Sequence, residues 1–371
     1  MPPTRTTKTA FPRREGACLL GWASTAVFYT IGAPWLADTA GPLVMLAAFL
    51  WLFAVLLWCA AAVVRHADGL AHLLGEPYGT LILTIAVVVM EVSLIAAVMV
   101  SGKNDVTLAR DMMFAVLMIV LNGLIGFTLV LGALRHGQQE YNIAGASSYL
   151  TVTATLSVLS LVLPVYTVST SNPTFTAHQA IFFAAATLLL YGVFLAVQTV
   201  RHRAFFVEPE QPGLPAEDHA TGTIGFHATM LALSLAPVVF LAEKLALLIE
   251  HGIAVTGAPH ALGGVLIAML VLSAEAASAI KAALRDRLQR AVNICLGSAL
   301  STIGLTVPAV LLIGVLTGKV VQLGLEPVNI VLLVLTLFVS QLTFGSGRTN
   351  VLLGSVHLIL FAAFVALMFE P

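Results

Sequence analysis

The chain has 371 residues, 59% hydrophobic and only 9% charged, with a mean hydropathy of +1.00 and a formal net charge of -1. That charge content is far below the roughly 25% of a soluble domain, which excludes a water-soluble protein and places most of the mass in lipid. Near-equal basic and acidic counts (17 and 18) argue against a nucleic-acid partner, and Cys18, Cys59 and Cys295, far apart in apolar runs, argue against a disulfide frame or zinc site.

Apolar stretches of membrane-spanning length lie near 18–37, 41–64, 78–101, 111–134, 148–169, 178–200, 225–250, 260–281, 291–317, 327–345 and 350–369, eleven in all. They are too long and too uniformly apolar for barrel strands, so the expected fold class is an all-α polytopic membrane protein. With the N-terminus inside, 13 basic residues fall in inside segments: Arg5, Lys8, Arg13, Arg14, Arg65, Arg135, Arg201, Arg203, Lys281, Arg285, Arg287, Arg290 and Arg348. Only Lys103, Arg110 and Lys319 fall outside and Lys244 within a span, a bias that a miscounted span would destroy. The C-terminus is then outside. The first span, after Arg13 and Arg14, has an alternative reading as a signal peptide ending near Leu36–Ala40.

A polar stretch over 201–223, with Glu208, Pro209, Glu210, Pro212, Gly213, Pro215, Glu217 and Asp218, reads as a cytoplasmic linker. The expected organisation is an N-terminal segment with one extra span (1–40), a first five-helix unit (41–200), the linker, and a second five-helix unit (224–371).

An ionisable side chain near the bilayer centre costs at least about 2.5–3.5 kcal/mol on insertion scales and asks for a function. All six aspartates fall in loops or at span ends, whereas Glu91, Glu243 and Glu275 lie within spans, with Glu250 at an edge. Glu91 and Glu275 each stand twelve residues beyond a glycine, Gly79 and Gly263. Twelve residues is about 18 Å of helix, which from either surface reaches the midplane of a roughly 30 Å core. The third and eighth spans run in opposite directions, the arrangement of an inverted-topology repeat that brings the two carboxylates together. Paired carboxylates supply hard oxygen ligands suited to Ca²⁺, Na⁺ or similar cations. A carboxylate removed from water also takes up a proton readily, and competition of proton and cation for one site is the physical basis of antiport.

The stretches Gly75-Glu76-Pro77-Tyr78-Gly79-Thr80, Glu91-Val92-Ser93-Leu94-Ile95 and Gln138-Gln139-Glu140-Tyr141-Asn142 resemble the first half of the cation/proton exchangers of the Ca²⁺:cation antiporter superfamily, and within it the bacterial ChaA-type Ca²⁺(Na⁺, K⁺)/H⁺ antiporters. Glu243–Glu250, Ser273-Ala274-Glu275, Gly297-Ser298-Ala299-Leu300-Ser301 and Gly347-Arg348-Thr349-Asn350 resemble its second half. The resemblance implies eleven spans, two inverted five-helix repeats plus one extra N-terminal helix, and one essential glutamate per repeat, here Glu91 and Glu275. It also implies a bacterial plasma-membrane location. The family's Gly-Asn pair before each glutamate is replaced by Val87-Val88 and Val271-Leu272, which offer no side-chain oxygen. Accessory oxygens are expected from Asn122, Ser298, Ser301 or Thr302 and from carbonyls at a helix break, and a site with fewer fixed oxygens selects Ca²⁺ over monovalent ions less strictly.

Glu243 matches a family acidic position and is a candidate for the outer cation path, or a snorkelling side chain; it and Lys244 diverge by about 100° on a helix and are not expected to face each other. Ser93, Ser273 and Ser278 are expected to bond back to their own helices more often than to ligate. His357 reads as an interhelical histidine. The expected partners are inorganic cations, protons and lipids, with no cofactor and no nucleic acid. An enzyme is disfavoured, because no pair of spanning aspartates and no HExxH is present. A channel with a glutamate ring is the remaining alternative.

Overall fold

A computed structural model describes residues 15–36, 41–75, 78–101, 106–207, 222–259 and 261–370. The basic N-terminal residues up to Arg14, Lys103 and the acidic part of the linker (208–221) lie outside them. A helical rod stands at each expected position: α1 (Gly16–Thr30), α2 (Pro42–Leu74), α3 (Tyr78–Ser101), α4 (Leu108–His136), α5 (Ile143–Tyr166), α6 (Ala177–Arg201), α7 (Ile224–Thr256), α8 (Ala261–Ala283), α9 (Leu288–Thr317), α10 (Pro327–Thr343) and α11 (Val351–Phe369). Eight of these, all but α1, α3 and α10, are long and apolar enough over the described residues to cross a membrane.

Some boundaries differ from the hydropathy reading for identifiable reasons. The first helix ends at Thr30, with a short 3₁₀ turn over Ala33–Trp35, because Gly32 and Pro34 interrupt it. Conversely, α2 runs on past Arg65 and His66 to Leu74 and closes at Gly75, whose φ of 69° suits glycine. Hydropathy marks what lipid tolerates, whereas the helix ends where its backbone hydrogen bonding does.

Four rods contain a π-helical turn: Ile119–Leu124 in α4, Val158–Val162 in α5, Val197–Arg201 in α6 and Thr302–Thr306 in α9. Two of them directly precede a proline at the next rod position but one, Pro164 and Pro308. Proline removes an N–H from the ladder, and the turn upstream widens to re-pair its carbonyls. In α7 the same defect is repaired from outside. Pro237 leaves the carbonyl of Leu233 without its helical donor, and α1 supplies two replacements: Trp22 Nε1 at 3.0 Å and Cys18 Sγ at 3.6 Å. This docks the extra helix on the pair α2 and α7, which pack along each other.

The two halves are knitted on the linker face. Strands β1 (Gln139–Glu140) and β2 (Arg348–Thr349) pair antiparallel, Gln139 opposite Thr349 and Glu140 opposite Arg348. Gln139 Nε2 donates to Asp286 Oδ1 (2.8 Å) and to the Ala283 carbonyl (3.1 Å), while the Tyr141 hydroxyl donates to the Thr343 carbonyl. Segments noted separately in the sequence thus meet in one cap. Across the molecule, the loop before α10 is held by Arg110, which is buried, bonds the Gly324 carbonyl and pairs with Asp111 at 2.7 Å.

Candidate functional site

Glu91 on α3 and Glu275 on α8 sit in two continuous helices, each packed against a π-turn of α4 or α9. The Glu91 helix packs against the α9 turn from the other half of the chain, and the Glu275 helix packs against the α4 turn, again from the other half. The α4 turn begins at Ile119 in the rod that starts at Leu108, and the α9 turn begins at Thr302 in the rod that starts at Leu288, so the two turns overlap in depth without coinciding. The expected helix break is therefore a widened turn in the neighbouring helix; the glutamate helices themselves are unbroken.

Both carboxylates are bonded by hydroxyls of α9. Ser298 Oγ donates to Glu275 Oε2 at 2.6 Å, and Thr302 Oγ1 donates to Glu91 Oε2 at 3.2 Å. Glu91 is 1% exposed. Among the described residues, its Oε1 and the nearby hydroxyl of Thr306 are both buried and neither has a hydrogen-bond partner of good geometry. Each such buried atom carries a desolvation penalty that a proton or a cation would relieve. The two glutamates are also within electrostatic range of each other.

The remaining expected residues are divided. Ser301 donates back to the Ser298 carbonyl of its own helix at 3.0 Å, and Ser273 does the same to Leu270 at 2.8 Å. Asn122 bonds neither glutamate: its Nδ2 donates to Thr336 Oγ1 at 2.8 Å, and its Oδ1 is 3.3 Å from Nδ1 of the buried His357, whose Nε2 is 3.0 Å from Thr343 Oγ1. Glu243 lies at the α1 interface, where Tyr29 donates to its Oε2 at 3.0 Å. Contrary to the expectation from helix geometry, Lys244 Nζ reaches Glu243 Oε1 at 3.3 Å while standing 4.2 Å above the Tyr29 ring. The backbone vectors diverge, but the four-carbon stem curls back over an aromatic face. Thr306, which sequence reasoning did not single out, is adjacent to Val307 and Pro308; the proline that widens its turn was the available signal.

Among the described residues, the cavity that reaches Glu275 opens on one face. A cavity of about 480 Å³ opens on the linker face between Asp68, Arg203 and Arg290 and is lined at depth by Glu275, Ser298 and Ser301. Its floor includes Val87, one turn before Glu91, but not Glu91 itself. On the opposite face a vestibule of about 1530 Å³ holds Asp111, Glu250, Lys319 and Glu326 and reaches Ile267 on α8. Eight residues, about 12 Å of helix, separate Ile267 from Glu275. Ala268, Leu270, Val271 and Leu272 are buried in that interval.

A bundle of long apolar helices that buries two carboxylates beside π-turns has the build of a polytopic membrane protein. The profile of the sodium/calcium exchanger protein family matches residues 44–200 and 226–370, and the chain belongs to that family. It is 43% identical over 312 residues to the putative ionic transporter y4hA of Sinorhizobium fredii, covering 84% of this chain and 85% of that one. It is 40% identical over 315 residues to the sodium-potassium/proton antiporter ChaA of Escherichia coli, covering 84% and 85%. Among solved structures it shares its fold with YfkE (TM-score 0.74, 18% identity, 96% of this chain and 100% of that one) and with the H⁺/Ca²⁺ exchanger CAX (TM-score 0.67, 13% identity, 96% and 89%). The protein is thus an integral membrane transporter of the cation exchanger type, not an enzyme.

Proposed function

We propose that the chain exchanges Ca²⁺ for protons by alternating access at a site built from Glu91 and Glu275. The observation that carries this reading is the pair itself: Glu275, bonded by Ser298, stands at the floor of a cavity open to one face, while Glu91, bonded by Thr302 of the other half, lies sealed one turn beyond. Two ionised carboxylates carry the charge of one Ca²⁺ and contribute four oxygens, to which Ser298 and Thr302 add two hydroxyls. Each carboxylate must shed its proton to ligate, so cation affinity rises with pH and every cation bound displaces protons. A second reading, Na⁺ or K⁺ as the main cargo, is favoured by the 40% identity to a sodium-potassium/proton antiporter and by the absence of side-chain oxygens at Val87, Val88, Val271 and Leu272.

On this reading all eleven rods span the membrane, as two inverted five-helix repeats preceded by α1. The family profile matches the two halves on either side of the linker, which supports such a division. The bias of basic residues supports a cytoplasmic linker and N-terminus in a bacterial cell, and on that orientation the open cavity faces inward. Proton flux in everted vesicles, recorded on adding Ca²⁺, Na⁺ and K⁺ separately, tests the proposal. Fixed-ratio proton movement against Ca²⁺ is expected; flux that follows the electrochemical gradient alone would leave only a channel.

A further inference from the structure

Apart from the glutamate pair, three titratable side chains from three helices meet at the linker face. Glu15 precedes α1, His66 lies on α2, and His227 is in the first turn of α7. Glu15 Oε2 is 3.0 Å from His66 Nε2, and His66 Nδ1 is 3.1 Å from His227 Nδ1. The imidazoles are 1% and 6% exposed. Room for them is made by Gly69, where a Cβ would collide with the His227 ring. Arg65 Nη2 stands 3.3 Å from the same Glu15 oxygen and 3.4 Å from His66 Nε2, so arginine and histidine share one carboxylate. No other charged residue occurs between Gly16 and Thr30 on α1 or in the first four turns of α7, and Asp68 on α2 lines the cavity.

The hydrogen-bond directions follow from this geometry. An ionised carboxylate only accepts, so His66 carries its proton on Nε2 and presents a bare Nδ1. The facing Nδ1 of His227 must then donate, which leaves His227 Nε2 bare, and that atom is buried with no partner among the described residues. One further proton fits. It arrives at His227 Nε2, the shared proton shifts to His66 Nδ1, and the resulting imidazolium lies against Glu15; the bond is kept with its direction reversed. A second proton does not fit, because two N–H groups and two positive charges would face each other across 3.1 Å.

We propose that Glu15, His66 and His227 form a second proton-binding site, which takes up one proton between α2 and α7, holds it against the carboxylate at the start of α1, and excludes a second. Positions 64 and 68 of α2 line the cavity that leads to Glu275, and His66 points from the opposite face of the same helix. Proton occupancy at this site therefore acts on a helix that forms the cavity wall, whichever cation is exchanged.

The test uses full-length protein in lipid nanodiscs with ¹⁵N-labelled histidine, read by NMR across a pH series and without any transport, so its failure is separate from failure of the exchange reading. At alkaline pH, His66 should be protonated on Nε2 and His227 on Nδ1. The pair should then take up one proton with a common midpoint and a second only at much lower pH. Glu15→Gln should move the first midpoint down by roughly one to three pH units, the effect of losing an adjacent opposite charge. His66→Gln and His227→Gln assign the signals. If one of these variants fails to fold, the other assigns its own signal by loss and its partner's by the loss of the common midpoint. Two histidines that titrate independently, the opposite tautomers, or midpoints indifferent to Glu15→Gln would overturn the proposal.

Discussion

Glu91 and Glu275 occupy matching places in the two halves of the chain and live in different surroundings. Glu275 is partly exposed, lines a cavity and is held by a short 2.6 Å bond from Ser298. Glu91 is sealed, is held by a longer 3.2 Å bond from Thr302, and keeps one oxygen unpaired beside an unpaired threonine hydroxyl. On the proposed exchange reading, this contrast corresponds to a site reached from one face only, and a change of state would exchange the two environments. The difference resides in the neighbours and not in the glutamates.

The largest effect should come from deleting either charge. For unit charges about 4 Å apart in an effective dielectric near 20, attraction is worth about 4 kcal/mol, close to a thousandfold in binding. Glu91→Gln and Glu275→Gln should each reduce cation-driven proton flux to background in vesicles while leaving folded protein in the membrane. Full activity in either variant would remove that residue from the site. Access is the sharper contrast. The three native cysteines are buried, so an introduced thiol can be labelled selectively. Ser278→Cys, in the cavity wall, should react rapidly with a charged thiol reagent from the linker face, and Thr302→Cys should be protected. Equal reaction rates would contradict a one-sided cavity.

The two hydroxyls should have intermediate effects. A hydrogen bond to a charged group contributes about 1.5–3 kcal/mol, which corresponds to roughly one to two pH units. Ser298→Ala removes a donor that favours the ionised form of Glu275, so deprotonation needs a higher pH and the rising limb of cation affinity should move to more alkaline pH by that amount. Thr302→Ala should move it in the same direction by less, because its bond is longer. Binding isotherms across a pH series would separate the two, and a shift toward acid in either would reverse the assigned donor.

Much of this was legible in the sequence, for reasons that individual residues make plain. Glu91 and Glu275 stood out as acids within apolar helices, and Ser298 and Thr302, which bond them, fall one turn apart on a single face of α9. What counting could not reach depends on side chains brought together from distant parts of the chain. The direction of Asn122 is decided by Thr336 and His357, more than two hundred residues away. The curl of Lys244 onto Glu243 depends on Tyr29 of α1. The extension of α2 through His66 to Leu74 was hidden because a hydropathy window ends at charge, although His66 and Glu15 satisfy each other there.

Thr306 offers the smallest and most discriminating change. Its hydroxyl is buried beside Glu91 with no partner of good geometry among the described residues, so replacing it by the nearly isosteric valine removes a poorly satisfied group and leaves the packing volume almost unchanged. A purely structural role predicts that Thr306→Val is neutral, or stabilising by up to about 1 kcal/mol, with exchange unaffected. If the hydroxyl instead turns onto the carboxylate when Glu91 loses its proton, the same variant should keep or gain thermal stability and still weaken cation binding, at most about as much as Thr302→Ala does. Stability and affinity moving in opposite directions would show that the unpaired atoms around Glu91 belong to the transport cycle, and affinity unchanged at every pH would assign them to packing alone.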